Sequence, residues 1–196
     1  MIRCAVLVVS AKTEPIPEET SVHILALLRQ NLPGLMVMEE RQTGSDRHLI
    51  EEILRGWCDE EEMDLVVTIG GTLPAPGLSG EQITPEATAA VIERMMPSLP
   101  EAMRALAGEE RVDALLDRSV AGIRARTLLL NLPGAQRLAE LFVEAVADGL
   151  PLIFARLQLI SDETIDPPVP MPPNRPKTGL DADEFAAFLA ARKGTQ

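Results

Sequence analysis

The chain has 196 residues and a mass of 21.2 kDa, a size that fits one domain better than two. Apolar residues make up 46% and charged residues 24% of it, a balance that excludes global disorder. Eighteen basic residues against thirty acidic ones give a formal charge of −12. This charge disfavours nucleic-acid binding and a cationic membrane-surface protein. An anionic ligand must therefore be met by backbone amides, helix N-termini, a few arginines or a metal ion.

The first half of the chain predicts strands that alternate with helices. Apolar runs predict strands over residues 3–9, 35–39 and 64–68. A proline followed by two acidic residues predicts a helix over residues 17–30, and apolar residues at helical spacing predict another over residues 46–60. This alternation is typical of right-handed crossovers in a mostly parallel sheet with helices on both faces.

The second half continues the pattern with clear helix starts. A Thr-Pro-Glu sequence beginning at Thr84 provides an N-cap, a first-position proline and a first-turn acid, and predicts a helix up to about Met96. The spacing of Ser98 and Glu101 is that of a capping box and predicts the next helix. The remaining predicted elements are a strand hairpin over residues 119–123 and 127–130, and helices over residues 135–149 and 150–160.

The C-terminal part has a different composition. Six prolines within residues 165–177 predict an extended linker. Residues 181–193 predict a short amphipathic helix, which docks on its own domain, on a sister subunit or on a partner. We therefore divide the chain into an α/β domain over residues 1–160 and a tail over residues 161–196.

Cysteine and histidine usage points to a reduced, metal-poor protein. Neither Cys4 nor Cys58 has a CxxC partner, and His23 and His48 do not complete a zinc-binding pattern. No apolar stretch reaches membrane-spanning length, and the N-terminus lacks the pattern of a signal peptide. These features predict a cytoplasmic protein with two free thiols.

Small and polar residues follow the predicted parallel strands. Because ligands of open parallel sheets bind beyond the carboxyl ends of the strands, we expect these residues to converge on one edge of the sheet, the rim. Gly70 and Gly71 allow close approach to the backbone and can form an anion nest, although plain turn chemistry is the alternative interpretation. The segments expected at the rim are Ser10, the pair Glu39 and Glu40, the turn of Gly70, Gly71 and Thr72, and the turn of Asn131, Leu132, Pro133 and Gly134.

The chain resembles the molybdenum-cofactor-biosynthesis domain in three ordered motifs: residues 50–72 (IEEILRGWCDEEEMDLVVTIGGT), 83–94 (ITPEATAAVIER) and 118–134 (RSVAGIRARTLLLNLPG). That family includes bacterial molybdopterin adenylyltransferases, MoaB-type proteins and a domain of gephyrin. The resemblance covers about residues 3–160. It implies a three-layer α/β/α fold, commonly trimeric, whose ligand is lined by the two glycine turns of the predicted rim.

The resemblance also implies an activity. Adenylyltransferase members of the family move AMP from Mg-ATP onto the terminal phosphate of molybdopterin and release pyrophosphate. Molybdopterin is thus the implied ligand, Mg-ATP the implied co-substrate, and a homo-oligomer, trimer or hexamer, the implied assembly. We expect neither a nucleic-acid nor a membrane partner.

The predicted site departs from the family pattern. Leu73 follows the first glycine turn where the family has glycine, and an insertion of about four residues lies within residues 74–80. Three positions at which the family has aspartate carry other residues: Ala11, Ser45 and Gln82. Nucleotidyl transfer needs charge neutralisation. A Mg²⁺ ion held on carboxylates usually supplies it, and three carboxylates at neighbouring positions could substitute for the family's aspartates and are the candidate catalytic residues: Asp46, Glu81 and Asp117.

Three hypotheses stay open from the sequence. The first is a divergent molybdopterin adenylyltransferase. The second is a relative that binds molybdopterin or a related pterin without AMP transfer, which the replaced aspartates favour. The third is an oligomeric interaction platform that uses the tail as its contact. Arg124 and Arg126 are either groups that neutralise the ligand or simply solvated side chains.

Overall fold

Strands and helices alternate along the chain in the computed structural model, which describes residues 1–11, 16–77 and 80–162. The strands are β1 (Ile2–Val9), β2 (Leu35–Thr43), β3 (Leu65–Ile69), β4 (Arg94–Met95), β5 (Ala121–Arg124) and β6 (Thr127–Leu132). The helices are α1 (Glu18–Asn31), α2 (Arg47–Asp59), α3 (Thr84–Val91), α4 (Ser98–Glu110), α5 (Gln136–Val146) and α6 (Leu150–Asp162), with a 3-10 helix over Val112–Leu116. The predicted linker over residues 165–177 and the predicted helix over residues 181–193 lie outside the described residues.

Within the described part of the chain, the strands form one sheet in the order β2-β1-β3-β6-β5-β4. The first four of these strands run parallel, and β5 and β4 are antiparallel to their neighbours. Apolar residues from both faces of the sheet pack under helices, with α2 and α3 on one side and α1, α4, α5 and α6 on the other. The predicted three-layer α/β/α fold with a mostly parallel sheet is confirmed.

Strand β1 shows why the sheet is covered on both faces. Its alternate residues point to opposite sides, as in any strand. Cys4, Val6 and Val8 pack with α1 and α5, and the residues between them pack against α2 and α3. A strand that is apolar at every position therefore needs helices on both sides.

Strand β2 is longer than predicted. It continues to Thr43, and its register with β1 joins Ala5 to Glu39 and Val9 to Thr43. At the edge of the sheet one side of the strand is exposed, so polar residues continue the pairing after the apolar run has ended. Glu39 and Glu40 thus lie within the strand and not at the rim, and that prediction was wrong. The Glu39 carboxylate instead accepts a hydrogen bond from Nε1–H of the buried Trp57 at 2.6 Å.

Helix α3 is shorter than predicted. It ends at Val91, and Ile92 is already extended, with ψ of 134°. The segment expected to be helical up to Met96 instead supplies β4, which pairs with β5. Gly122 permits this pairing, since a β-carbon there would lie 2.6 Å from the carbonyl oxygen of Arg94. A glycine in a later hairpin gives no local signal that a distant helix must end.

Candidate functional site

The carboxyl ends of the parallel strands meet at the rim. Ser10 follows β1 and Gly70 follows β3. Backbone hydrogen bonds join neighbouring strand ends, from the Ser10 amide to the Thr43 carbonyl at 3.0 Å and from the Gly70 amide to the Leu132 carbonyl at 2.8 Å. The structure therefore brings together Ser10 and the two glycine turns, as the sequence predicted.

The two glycine turns touch each other, and internal packing accounts for their glycines. Gly70 and Gly71 have φ of 95° and 69°, a conformation that favours glycine. A β-carbon would overlap the Ile16 side chain at Gly70 and the Thr84 hydroxyl at Gly71. At Gly134 it would lie 3.5 Å from the Cα of Gly70. The close approach that glycine allows is thus taken by residues of the protein itself.

Backbone N–H groups at the rim remain available for an anion. The amides of Gly71 and Thr72 donate to no acceptor among the described residues. Helix α5 begins two residues after Gly134, and its first turn contains no acidic residue. The first N–H groups of a helix lack intrahelical partners and favour negative charge. In α1 the acidic Glu18 and Glu19 already provide that charge, so the N-terminus of α5 is better suited to a ligand phosphate than that of α1.

Two buried hydroxyl oxygens near the rim, those of Thr84 and Ser45, have no hydrogen-bond partner among the described residues. The sequence predicted Thr84 as the N-cap of α3, but Ile83 occupies that position and no side-chain cap forms there. The Thr84 hydroxyl instead lies over Gly71. Leaving a buried hydroxyl unsatisfied costs about 1–3 kcal/mol. Such groups therefore mark places where a ligand or water completes the hydrogen bonding.

Asn131 organises the strand ends from inside the protein. It is fully buried, and its Nδ2 donates to the hydroxyls of Thr68 at 2.7 Å and Thr88 at 2.8 Å. Its Oδ1 accepts from the Val120 amide at 3.2 Å. The amide group of Asn131 is thus engaged within the core, and Leu132 next to it is buried as well. Among the residues of this turn, Gly134 is the one that is partly exposed.

Asp117 holds the first glycine turn from behind. It is 4% exposed, and its Oδ2 accepts from the Thr72 hydroxyl at 2.5 Å while its Oδ1 accepts from the Ser119 amide at 2.8 Å. Burial raises the pKa of the Asp117 carboxyl above its usual range, and the hydrogen bonds from Ser119 and Thr72 act in the opposite direction. Both carboxylate oxygens are therefore committed to the protein.

Arg118 and Gln82, which sequence reasoning did not select as site residues, close the base of the inserted segment. The Nε of Arg118 donates to the Leu73 carbonyl at 3.1 Å, its Nη2 to the Gln82 carbonyl, and its Nη1 to Oε1 of Glu86. The Gln82 side chain accepts from the Leu73 amide at 3.0 Å. Arg118 is the first residue of the third motif that resembles the family, and this position is the sequence signal that could have identified it as a site residue.

An open depression of about 270 Å³, which we call the cleft, is lined by Ser10, Gly44, Ser45, Gly80 and Glu81. The Ser10 hydroxyl accepts from the Gln42 side chain at 3.2 Å. Of the three predicted carboxylates, Glu81 is the one that lines the cleft. Asp46 follows Ser45, is exposed, and uses its Oδ1 to cap α2 by accepting from the Leu49 amide at 3.2 Å.

The remaining charged groups do not build a metal site around the cleft. Within residues 1–11, 16–77 and 80–162, no three His, Cys, Asp or Glu side chains come close enough to hold a metal ion. Arg124 pairs with Asp59 at 2.6 Å, and Arg126 pairs with Asp64 at 3.0 Å. Both arginines lie where β5 turns into β6, at the opposite end of β6 from the rim, so they do not neutralise a ligand there.

Comparisons with known proteins agree with this geometry. Residues 6–153 match the molybdenum-cofactor-biosynthesis family that is described as a probable molybdopterin binding domain. A molybdopterin adenylyltransferase from Helicobacter pylori is 40% identical over 124 residues, which are 61% of this chain and 68% of that protein. The molybdopterin adenylyltransferase of Escherichia coli K12 is 38% identical over 112 residues, or 57% of this chain and 55% of that protein.

A solved structure has the same fold. The molybdopterin biosynthesis enzyme MoaB from Thermus thermophilus superposes with a TM-score of 0.67 at 36% sequence identity, covering 83% of this chain and 98% of that one. Residues 6–153, which match the family, contain the rim, most of the sheet and helices α1 to α5. The likeness therefore extends over the part of the chain that positions the candidate site.

Proposed function

The chain belongs to the molybdenum-cofactor-biosynthesis domain family, and on this premise we propose that it is a molybdopterin adenylyltransferase that binds its two substrates at the rim. The observation that carries the proposal is the set of unused hydrogen-bonding groups there. The amides of Gly71 and Thr72 and the hydroxyl of the partly exposed Ser45 find no partner among the described residues. Phosphate groups of molybdopterin and ATP are acceptors that would satisfy them.

The proposed reaction joins two phosphates. A terminal phosphate oxygen of molybdopterin forms a bond to the α-phosphorus of ATP, while the bond from that phosphorus to the β-phosphate oxygen breaks and pyrophosphate leaves. Such transfers depend on positioning and on neutralising charge more than on covalent chemistry by the protein. Backbone amides at the first glycine turn and at the N-terminus of α5 are suited to hold the phosphates.

Magnesium enters this proposal as part of the substrate Mg-ATP. The carboxylates of the described residues do not fit a metal site built by the protein, because Asp117 is buried with both oxygens engaged and Asp46 caps α2. Glu81 is the carboxylate that could contact a Mg²⁺ ion that ATP carries, since this ion accepts one or two carboxylates beside phosphate oxygens.

The test is a direct product assay. Purified protein is incubated with molybdopterin and Mg-ATP, beside the Escherichia coli relative as a positive control, and adenylylated molybdopterin is measured by mass. We expect product at the expected mass and pyrophosphate in equal amount. No product, in a run where the control succeeds, contradicts the proposal.

A second candidate function is binding of molybdopterin without AMP transfer. It is favoured by position 82, where the family has aspartate and the Gln82 side chain is instead 7% exposed and bonded to the Leu73 amide. Saturable molybdopterin binding together with absence of product would support this candidate. Absence of both would contradict the two functions together.

We further propose that the protein works in the cytoplasm as a homo-oligomer, a trimer or hexamer. No helix among the described residues has the length and apolar character to cross a membrane. Val112 and Leu115 of the 3-10 helix are 79% and 72% exposed, an apolar surface that supports self-association. Light scattering after gel filtration tests this, and a mass of one chain at micromolar concentration would contradict it.

A further inference from the structure

One arginine joins Leu73 and Gln82, which lie on either side of the inserted segment. Arg118 donates to the carbonyl of Leu73 before the segment and to the carbonyl of Gln82 after it. A second link runs directly between these two residues, from the Leu73 amide to the Gln82 side chain at 3.0 Å. The two ends of the segment are thus fastened to each other, and we call this set of bonds the clamp.

The clamp is fixed on its other side as well. The Arg118 amide donates to the Thr72 carbonyl at 3.0 Å, and its guanidinium pairs with Glu86 of α3. Because a guanidinium is a planar fork with donors in fixed directions, it can serve the two carbonyls and the carboxylate at once. A lysine ammonium lacks that geometry.

Gln82 has a strained backbone that the clamp maintains. Its φ is 54°, in the left-handed region that is unfavourable for a residue with a side chain. Such a conformation persists when surrounding contacts over-determine it. Its direct neighbour is Glu81, which lines the cleft with Ser10 and Ser45. The backbone conformation of Gln82 therefore fixes the direction in which the chain runs from Glu81 to α3.

We propose that Arg118 is a positioning residue, which sets the place of Glu81 in the cleft through Gln82 and the closed base of the inserted segment. Arg118 acts here through other residues and does not contact the substrate. The inference rests on the proposed function for the role of Glu81, whereas the clamp itself can be tested without any ligand.

The first experiment measures hydrogen exchange of the Leu73 amide by NMR in the full chain. In Arg118→Lys we expect exchange at least tenfold faster than in the wild type, because the bridge between the two carbonyls is lost. Glu86→Gln, which keeps both carbonyl contacts, should give a smaller increase. Arg137→Lys is the control, since Arg137 is an exposed arginine that bonds glutamates of α4 and α5. Unchanged Leu73 exchange in folded Arg118→Lys would overturn the clamp.

The second experiment is a double-mutant cycle of Arg118→Lys with Glu81→Gln, measured on kcat/KM for AMP transfer or, if the second candidate function holds, on molybdopterin affinity. We expect about a tenfold loss from Arg118→Lys when Glu81 is present and less than a twofold loss when it is absent. Equal losses in both backgrounds would show that Arg118 does not act through Glu81. A wild type that neither reacts nor binds refutes the proposed function instead, and the exchange experiment still decides the clamp.

Discussion

The two ends of the rim are built in opposite ways. At the glycine-turn end, formed by residues 70–72 and 131–134, the polar side chains are buried and bonded to the protein, as Asn131 and Thr72 show. At the cleft end, Ser45 and Glu81 are partly exposed. Glycines occur at both ends, but a β-carbon has no room at Gly71, whereas nothing lies within 4 Å of one at Gly44.

The difference separates side chains that folding requires from the partly exposed side chains that line the cleft. Substitutions at the glycine-turn end should lower the free energy of unfolding, in addition to any effect on the backbone amides that we propose hold phosphate. Substitutions at the cleft end should leave the free energy of unfolding unchanged and should alter only ligand binding or AMP transfer. The predictions below test this contrast, beginning where the expected effect is largest.

Gly71→Ala should lower the free energy of unfolding by about 3 kcal/mol. The left-handed conformation adds about 1–2 kcal/mol for a residue with a β-carbon, and overlap with the Thr84 hydroxyl adds about 1–3 kcal/mol. Gly44→Ala is the matched change at the cleft end, and we expect less than about 0.5 kcal/mol there. Urea denaturation of both variants measures the two effects. Equal denaturation midpoints would contradict the difference between the glycine-turn end and the cleft end.

Asn131→Ala should cost about 2 kcal/mol of stability. The change leaves the Val120 amide without its acceptor and takes a donor from the Thr68 and Thr88 hydroxyls inside the core. Asn31→Ala provides the control, because the Asn31 side chain bonds one carbonyl at the partly exposed end of α1. If the two substitutions cost the same, the interior amide does not organise the strand ends.

The sequence predicted the fold well because its signals are local. Every residue of β1 from Cys4 to Val9 is apolar, which predicts that helices cover both faces of the strand. The apolar stripe of α2 likewise predicts which face of that helix packs against the sheet. The errors come from contacts between distant residues. β2 extends past its apolar run because β1 offers a continuing ladder, and α3 stops early because Gly122 lets β4 approach.

The position of the candidate site could be predicted from the sequence. Which of its side chains face the cleft and which are bonded inside the protein could not. Strand ends and glycine turns place Ser10, Gly70 and Gly134 at the rim, and this placement does not depend on the contacts of their side chains. Whether a carboxylate faces the cleft depends on partners far away in sequence. Asp117 turns inward because Thr72, 45 residues earlier, donates to it, and Gln82 is held by an arginine 36 residues later.

Asp117→Asn should change how stability depends on pH, by less than the Asn131 effect. Burial raises the pKa of Asp117 in the folded state above its ordinary value of 3.8, so the folded state binds the proton more tightly than the unfolded state. The contribution of Asp117 to stability is therefore full below about pH 3.8 and is lost as the pH rises through the folded-state pKa.

Relative to Asp117→Asn, the wild type should accordingly become less stable as the pH rises from about 3.5 to about 7. Asparagine can keep both hydrogen bonds, by donating to the Thr72 hydroxyl and accepting from the Ser119 amide, and it does not titrate. The measurement is the difference in unfolding free energy between the two proteins at each pH. The contributions of the other carboxylates cancel in this difference because both proteins contain them. A wild type that instead gains stability over the variant as the pH rises would mean that hydrogen bonding outweighs burial at this site.

Glu81→Gln should have the smallest effect on stability and a selective effect on the ligand. Glu81 lines the cleft and is partly exposed, so we expect the unfolding free energy to stay within about 0.5 kcal/mol of the wild type. The rate of AMP transfer should fall about tenfold, because the neutral amide is a poorer partner for the magnesium that ATP carries. Glu109→Gln on the exposed face of α4 removes the same charge elsewhere and should leave the rate unchanged. Equal rates in the two variants would place the functional carboxylate outside the cleft, and a large loss of stability in Glu81→Gln would show that the cleft end is as tightly built as the glycine turns.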